Sequence, residues 1–217
     1  MSTRLFISKN ISELGQLQTF LTNKNTELIA HSFLHFEGID FELESTYDII
    51  FFTSPRSVIF FKAINEIPGK VKIACTGSKT AELLQTLGYR VDFTGTKSGD
   101  IQSVAKEFKA WSGGQKVLFP ISTKSLKTIS SELEESAVIE VEVYETKIQG
   151  KAIEDCDTYV FTSPSNVEGF IIDNAIPSSS RIIAWGTSTA DSLEQNGFHV
   201  NHVLNDSSIP SLIALLN

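Results

Sequence analysis

A long segment of the chain occurs twice, 109 residues apart. The stretch "FFTSPRSVIFF" at residues 51–61 returns as "VFTSPSNVEGF" at residues 160–170. Residues 51–91 align without a gap with residues 160–200, and 16 of these 41 positions are identical. A solenoid repeat is about 20–50 residues long, whereas this period is the size of a domain. The sequence therefore predicts two domains of the same architecture.

Each copy alternates strand and helix patterns. In the first copy one helix opens at Pro55, and a second runs from Ser78 to Leu87, where Gly88 ends it. We expect the apolar side chains at helical spacing to face the core, namely Val58, Phe61, Ile64, Ala81, Leu84 and Leu87. The strand segments are "YDIIFFTS", "KVKIACTG" and "YRVDFTG", and in the second copy "TYVFTS", "RIIAWG" and "FHVNHV", with a helix from Thr187 to Asn196. This alternation predicts an α/β fold with parallel sheets covered on both faces.

The flanking segments predict how the domains are connected. The first copy is followed by "QKVLFP", "AVIEVEVYE" and predicted helices at residues 100–110 and Lys124 to Leu133; the second is followed by one short helix at residues 207–216. The pieces that the second copy lacks stand at the start of the chain, as "TRLFIS", a helix from Ser12 to Leu21, and "TELIAHSFLHF". We therefore expect two flavodoxin-like three-layer domains. Residues 39–143 are inserted into a discontinuous domain of residues 1–35 and 149–217, through a two-stranded linker at 34–39 and 143–151 that permits hinge motion.

Composition narrows the class of protein. Apolar residues make up 41% and charged residues 20% of the 217, with a mean hydropathy near zero, which is typical of a globular protein. No apolar run reaches the ~18 residues of a membrane span, and no signal-peptide pattern opens the chain, so we expect a cytoplasmic protein without a membrane partner. A net charge of −8 without a Lys/Arg stripe disfavours nucleic acid. A monomer is the expected state.

The chain shows no pattern for a metal or a nucleotide cofactor. Cys75 and Cys156 are too few for a disulfide framework and lack metal-ligand spacing, so we interpret them as buried thiols. No cysteine or acidic residue stands near the four histidines at a zinc-site spacing. Neither GxGxxG nor the glycine-rich lysine motif of phosphate-binding loops occurs. We expect a protein that binds no metal and no cofactor.

Four strand-to-helix corners are the candidate binding residues. Thr53-Ser54-Pro55 and Thr162-Ser163-Pro164 each place a serine before a proline, which helix capping alone would explain. The turns Gly77–Thr80 and Gly186–Thr189 stand at comparable positions. Ligands of open α/β sheets bind at the carboxyl ends of the strands, where helix N-termini offer free N–H groups and partial positive charge. If these edges of the two domains face each other, they form a cleft of neutral donors suited to a polyanion.

The same motifs resemble the uroporphyrinogen-III synthase family over essentially the full length of the chain. They are, in order, "IIFFTSPRSV", "ACTGSKTAELLQTLGYRV", "KVLFP", "VYET", "VFTSPSNVEGF" and "AWGTSTADSLEQNGFHV". The resemblance implies an enzyme without cofactor that takes linear hydroxymethylbilane and removes its terminal hydroxyl as water. It closes the macrocycle with ring D inverted, to give the uroporphyrinogen III used for haem, sirohaem and cobalamin. The protein's part is to hold the bilane in the geometry that favours this isomer over spontaneous closure.

The resemblance also implies roles for particular residues. Tyr144 matches a tyrosine that assists departure of the hydroxyl; on sequence alone it is equally well an ordinary strand-end residue. Positions that hold the substrate's propionates are matched by Thr53, Ser54, Gly77, Ser78, Thr80, Thr162, Ser163, Gly186, Thr187 and Ser188. The chain lacks the arginine that often follows the proline matched by Pro120, and Arg56 stands where many members carry a small polar residue. We expect Arg56 to supply that charge.

Two other classes of protein fit the same corners. One is a hinge-closing, two-domain protein that binds a small anion without catalysis; the other is a relative that keeps the fold and has lost activity. The corners hold no serine paired with histidine, no reactive cysteine setting and no pair of carboxylates. Any catalysis must therefore depend on positioning and on the substrate's own reactivity.

Overall fold

The computed structural model describes residues 3–43, 46–97 and 99–217, and it divides into two compact units. Unit 1 contains the residues up to His35 together with Lys147–Asn217, and unit 2 is Phe36–Thr146. The strands are β1 (Thr3–Ile7), β2 (Thr26–Ala30), β3 (Leu34–Gly38), β4 (Ile49–Phe52), β5 (Lys72–Cys75), β6 (Phe93–Thr94), β7 (Val117–Ser122), β8 (Val138–Ile148), β9 (Thr158–Phe161), β10 (Arg181–Ala184) and β11 (His202–Val203). The helices are α1 (Gly15–Asn23), α2 (Pro55–Ile64), α3 (Ser78–Thr86), α4 (Ile101–Ser112), α5 (Pro164–Asp173), α6 (Thr187–Gln195) and α7 (Ile209–Leu216).

Unit 1 is a parallel sheet between two helical layers. Its strands lie in the order β2-β1-β9-β10-β11, and every pair is parallel. Because side chains alternate along a strand, Leu5 and Ile7 of β1 pack with α1 and α7 on one face, while Phe6 packs with α5 on the other. In chain order this is 2-1-3-4-5, the doubly wound order in which ligands bind where the direction of winding reverses, here between β1 and β9.

Unit 2 repeats this sheet with a different starting point. Its order is β3-β8-β7-β4-β5-β6, so β7 and β8 occupy the places that β1 and β2 hold in unit 1. Ile50 and Phe52 of β4 pack toward α2 and α3, and Ile49 and Phe51 pack toward α4. The predicted α/β class, with parallel sheets covered by helices on both faces, is confirmed.

The internal repeat is equally regular in the structure. The elements β4, α2, β5, α3 and β6 recur as β9, α5, β10, α6 and β11, each 109 residues later. Gly88, predicted to end α3, and its counterpart Gly197 after α6 have left-handed backbone angles, with φ of 85° and 82°. A residue with a Cβ is strained in this conformation, which explains glycine at both helix ends.

Some predicted elements are wrong. Residues 124–133 contain no α-helix; a short 3-10 turn covers Ser130–Glu132, and Lys127 has a φ of 55° that interrupts helical geometry. Ser125 accepts a hydrogen bond from the Lys127 amide, and such side-chain bonds compete with the helix in a stretch rich in Ser and Thr. Leu126, which lies in the predicted helix, is 91% exposed.

Other differences concern boundaries and faces. The segment "TELIAHSFLHF" is not one strand but two, β2 and β3, which belong to different sheets. The segment "YRVDFTG" forms only the two-residue β6. Ile64 and Leu87 are 43% and 47% exposed rather than inward, because each stands at or beyond the last turn of its helix. Within the described ranges, no helix is long and apolar enough to cross a membrane.

Candidate active site

The two Thr-Ser-Pro corners are formed as helix caps. Ser54 Oγ accepts from the amide of Ser57 at 3.2 Å, and Ser57 Oγ accepts from the amide of Ser54 at 3.3 Å, which completes a capping box. Ser163 Oγ accepts from the amide of Asn166 at 3.3 Å and from its side-chain nitrogen at 3.0 Å. Both serine hydroxyls are thus engaged by the helices that they begin, and what these corners offer a ligand is main-chain N–H and helix charge.

The corner after β9 is tied to the end of β1. The Thr162 amide donates to Ser8 Oγ at 2.8 Å, and Thr162 Oγ1 donates to the Ser8 carbonyl at 2.7 Å. Ser8 is fully buried, and sequence reasoning missed it, although it directly follows the apolar strand "RLFI". These hydrogen bonds fix Thr162 between β1 and β9, where the winding of the sheet reverses. They use both its amide and its hydroxyl as donors within the fold.

The other two corners leave their helix ends open. Gly77 precedes α3 and Gly186 precedes α6, and neither helix has a side-chain cap. The first two amides of an α-helix have no acceptor within it, so those of Ser78 and of Thr187 are free for an anion. Ser78, Thr187 and Ser188 lie at the surface, whereas Thr80 is buried in the core. The sequence predicts that Thr80 binds the substrate, but in the structure its side chain is buried beneath the surface on which Ser78 lies.

The predicted residues of each unit are brought together at one edge of its sheet. In unit 2, β4 and β5 are neighbours in parallel register, so Thr53 and Ser54 stand beside Gly77. In unit 1, β9 and β10 are neighbours in the same way, so Ser163 stands beside Gly186. Each unit therefore presents two adjacent helix N-termini at the carboxyl edge of its sheet.

Tyr144 and Arg56 share one aromatic neighbour, Phe36. The Tyr144 ring, on β8, is stacked on Phe60 of α2 with centroids 5.2 Å apart and an angle of 19°. Phe36 of β3 contacts the Tyr144 ring edge-on at 6.2 Å, and the Arg56 guanidinium lies 3.7 Å over the Phe36 ring. Tyr144 is 9% exposed. The packing fixes the plane of its ring beside an exposed cation.

His31 is a second residue that sequence reasoning missed. It follows β2, and its amide donates to the Ile7 carbonyl at 3.2 Å, which places it at the carboxyl edge of the unit 1 sheet. Its Nε2 is buried and has no hydrogen-bond partner in the described part of the chain. Burial first, and then the charges of Lys151 and His35, hold the pKa of His31 below its ordinary value of 6.5. The sequence pattern considers the histidines only as metal ligands; the position of His31 directly after the strand segment "TELIA" is the signal that could have found it.

The two thiols are unsuited to nucleophilic chemistry. Cys75 and Cys156 are both buried and free. Burial raises the pKa of Cys75, and it raises the pKa of Cys156 to about 11. A thiol is reactive as the thiolate, so both are inert at neutral pH. Over the described ranges, no group of three or more His, Cys, Asp or Glu side chains is placed to hold a metal ion.

Comparison with known proteins identifies the family. The model of the family described as uroporphyrinogen-III synthase HemD matches residues 24–214. The chain is similar in fold to the crystal structure of uroporphyrinogen-III synthetase from Helicobacter pylori, with a TM-score of 0.69, 17% identity, and 100% of this chain and 98% of that chain covered. A mutant uroporphyrinogen III synthase from the extremely thermophilic bacterium Thermus thermophilus matches with a TM-score of 0.56 and 15% identity, covering 98% of this chain and 96% of that chain. No curated protein matches the chain in sequence. The family match spans most of the chain and confirms the resemblance of its motifs: the chain belongs to the uroporphyrinogen-III synthase family, and it is a cyclising lyase.

Proposed function

We propose that this chain converts hydroxymethylbilane into uroporphyrinogen III. The observation that carries the proposal is a pair of helix N-termini at the carboxyl edge of each sheet, one with a serine cap and one without. The chain with this arrangement belongs to the uroporphyrinogen-III synthase family. Eight carboxylate arms on a flexible linear tetrapyrrole need many donors of moderate strength rather than a few fixed cations. Main-chain N–H groups at helix ends meet that need without a large desolvation cost.

In the proposed reaction the substrate supplies most of the driving force. The lone pair of the terminal pyrrole nitrogen expels the hydroxyl, which takes a proton and leaves as water, and an electrophilic azafulvene remains. The substituted carbon of ring D attacks it to form a spiro intermediate. Cleavage of the old carbon–carbon bond, closure at the free ring D carbon and loss of that carbon's proton then give the inverted ring. One water is released, and no oxidant or reductant is needed.

Within this scheme Tyr144 donates the proton to the departing hydroxyl. A phenol is protonated at neutral pH and can act as a general acid. The support for this role is positional: Phe36 and Phe60 fix the ring, and the Arg56 guanidinium lies over the Phe36 ring. The phenolate is reprotonated by the proton that ring D loses.

We propose that each unit binds part of the carboxylate set. In unit 2 the donors are the corner of Thr53 and Ser54, the main-chain N–H groups at the open start of α3 beside Gly77 and Ser78, and the guanidinium of Arg56. In unit 1 they are the main-chain N–H groups at the start of α5, next to the corner of Thr162 and Ser163, and the turn of Gly186, Thr187 and Ser188. The free N–H groups of α3 and α6 and the exposure of Arg56 support these assignments. We also propose a cytoplasmic monomer with no nucleic-acid or membrane partner, consistent with the charge of −8.

An isomer assay tests the function. Freshly prepared hydroxymethylbilane is incubated with the protein, the product is oxidised, and porphyrin isomers I and III are separated by chromatography. We expect isomer III to dominate and its fraction to rise with protein concentration, while a reaction without protein yields isomer I. Isomer I at every protein concentration would reject the synthase, and it is the result that a non-catalytic anion-binding protein would give.

A further inference from the structure

Unit 2 contains a cavity of about 200 Å³ at the carboxyl edge of its sheet. This is many times the ~10–15 Å³ that one water needs when space is measured in the same way, and it is large enough for a five-membered ring with a short side arm. Its walls come from the ends of β4, β5 and β7, the start of α4 and the loop at residues 125–130. The lining residues on which the argument depends are Thr76, Phe119, Ile121, Lys127 and Ile129.

Thr76 lines this cavity and has a buried polar atom without a partner in the described part of the chain. The residue is 7% exposed, and its Oγ1 is buried with no hydrogen-bond partner among the described residues. A buried hydroxyl without a partner costs stability, so such groups are uncommon unless a ligand or water completes them. Thr76 also directly precedes Gly77 and the open N-terminus of α3, which adds main-chain donors beside the hydroxyl.

The internal repeat allows Thr76 to be compared with the equivalent residue of unit 1. The residue 109 positions later is Trp185, and the two have the same backbone setting: the Thr76 amide donates to Phe52 and the Trp185 amide donates to Phe161. Trp185 is 8% exposed, and its side chain packs in the cluster that contains Leu204 and Leu212. In unit 1 an indole occupies this position, whereas in unit 2 a small hydroxyl side chain leaves the space open.

The lining of the cavity indicates what it holds. Phe119, Ile121 and Ile129 form apolar walls, which suit a flat ring. The Lys127 ammonium is paired with Glu140 at 2.6 Å, so its charge is offset and the donors that remain are neutral. An apolar slot with hydroxyl and N–H donors at one end fits an aromatic ring that carries a carboxylate arm.

We propose that this cavity is a subsite for one pyrrole ring of the tetrapyrrole, with a carboxylate arm of that ring accepting a hydrogen bond from Thr76 Oγ1. The inference rests on the proposed function, since it names where one part of the proposed substrate binds. It assigns Thr76 a role in binding, and it assigns the loop at residues 125–130 a role as one wall of the subsite.

Two substitutions of Thr76 separate binding from structure. Thr76→Val keeps the shape and removes the hydroxyl; we expect KM for the bilane to rise about tenfold with little change in kcat, because a hydrogen bond to a charged group is lost. The midpoint of urea unfolding should be equal or higher, because an unpartnered buried hydroxyl is removed. Thr76→Ser should restore a KM near that of the wild type.

Thr19→Val, on an exposed face of α1, is the matched control and should change neither the KM nor the midpoint of urea unfolding. An unchanged KM in Thr76→Val, or a clear loss of its stability, would overturn the inference.

A direct binding experiment keeps the inference separate from the synthase activity. The probe is a single pyrrole that carries one acetate and one propionate arm, titrated into the full-length protein and followed by amide chemical shifts. We expect shifts at Thr76, Leu126 and Thr128 in the wild type and their loss in Thr76→Leu, whose larger side chain fills the slot. Binding at these residues in a protein without isomer III activity would reject the function and retain the subsite. Isomer III activity without pyrrole binding at these residues would retain the function and reject the subsite.

Discussion

At the scale of single residues, Tyr144 is positioned by aromatic neighbours. Phe60 stacks on one face of its ring and Phe36 contacts it edge-on, while the same Phe36 carries the Arg56 guanidinium on its face. Aromatic contacts of this kind restrict the ring plane at small entropic cost. They act on the ring and not on the hydroxyl, which is the group that the proposed mechanism uses.

The first prediction follows from this packing. Tyr144→Phe keeps the ring and its stacking, so the midpoint of urea unfolding and the affinity for product should stay within about twofold of wild type. Turnover should fall by about 100-fold, the lower end of what general acid catalysis contributes. Single-turnover kinetics and product binding measure the two effects. An unchanged rate would remove Tyr144 from the mechanism.

The second prediction concerns His31. Its pKa is lowered in the folded protein, mainly by burial and further by Lys151 and His35, so the unfolded chain binds a proton more readily. The contribution of His31 to stability is therefore intact above pH 6.5 and is lost as the pH falls through its lower, folded pKa. Between about pH 7.5 and 5.5 the urea midpoint should fall less in His31→Gln than in the wild type.

Lys151 provides the matched variant for that experiment. Because burial is the larger cause of the shift, Lys151→Met should weaken the pH dependence only in part, and less than His31→Gln does. Parallel pH curves for His31→Gln and the wild type would show that His31 is not the group responsible.

At the scale of elements, the four helix N-termini are of two kinds. α2 and α5 begin with a serine cap and a proline, so their first position has no N–H to offer. α3 and α6 begin after a glycine without a side-chain cap, so both of their first two N–H groups remain free. The second kind is therefore the stronger site for a carboxylate.

This difference gives the third prediction. Thr187→Pro removes the first N–H of α6 while the helix is retained, since proline suits that position and Gly186 has the extended backbone that must precede it (φ −170°, ψ 176°). KM should rise about tenfold in Thr187→Pro, because a main-chain hydrogen bond to a carboxylate is lost. In Thr187→Ala, which keeps the N–H, it should change less than about twofold. Steady-state kinetics with unfolding midpoints measures both variants.

Equal effects of the two substitutions would contradict the third prediction. They would show that the threonine hydroxyl, rather than the backbone, binds the substrate. A large loss of activity in Thr187→Ala without unfolding would lead to the same conclusion.

The elements also show what the sequence could and could not reveal. Repeated helices and strands were predictable because apolar periodicity, proline and glycine all favour the same boundaries, as at Pro55 and Gly88. The segment at residues 124–133 was mispredicted because Leu126, Ile129 and Leu133 have helical spacing while Ser and Thr side chains favour turns. The Phe36–Tyr144–Phe60 packing joins three elements distant in sequence, so no local pattern could indicate it.

At the scale of the whole molecule, each unit has its own core on both faces of its sheet. Among the described residues, the core clusters of unit 1 contain none from Phe36–Thr146, and those of unit 2 contain none from outside it. The two points at which unit 2 is inserted into unit 1 lie close together, because the Gln149 amide donates to the Phe33 carbonyl at 3.0 Å. We therefore expect each unit to fold alone.

The fourth prediction tests this independence. Joining residue 35 to residue 147 through a short Gly-Ser linker should give a protein that unfolds cooperatively in urea and has the circular dichroism of an α/β sheet. Residues 36–146 alone should behave likewise, and neither should form isomer III. The intact chain is the control for both measurements. A disordered product from either half would refute the proposed domain organisation.

The nested layout has a consequence for synthesis on the ribosome. β1 must pair with β9, and the backbone of Arg4 bonds to Asp157, 153 residues further along. At about 5–20 residues per second, β1 and β2 wait on the order of 10 s for that partner, while the inserted unit is already complete. The nascent chain thus carries an unsatisfied strand edge through most of its elongation. We expect chaperones that bind exposed strand edges to act on β1 and β2 during this interval.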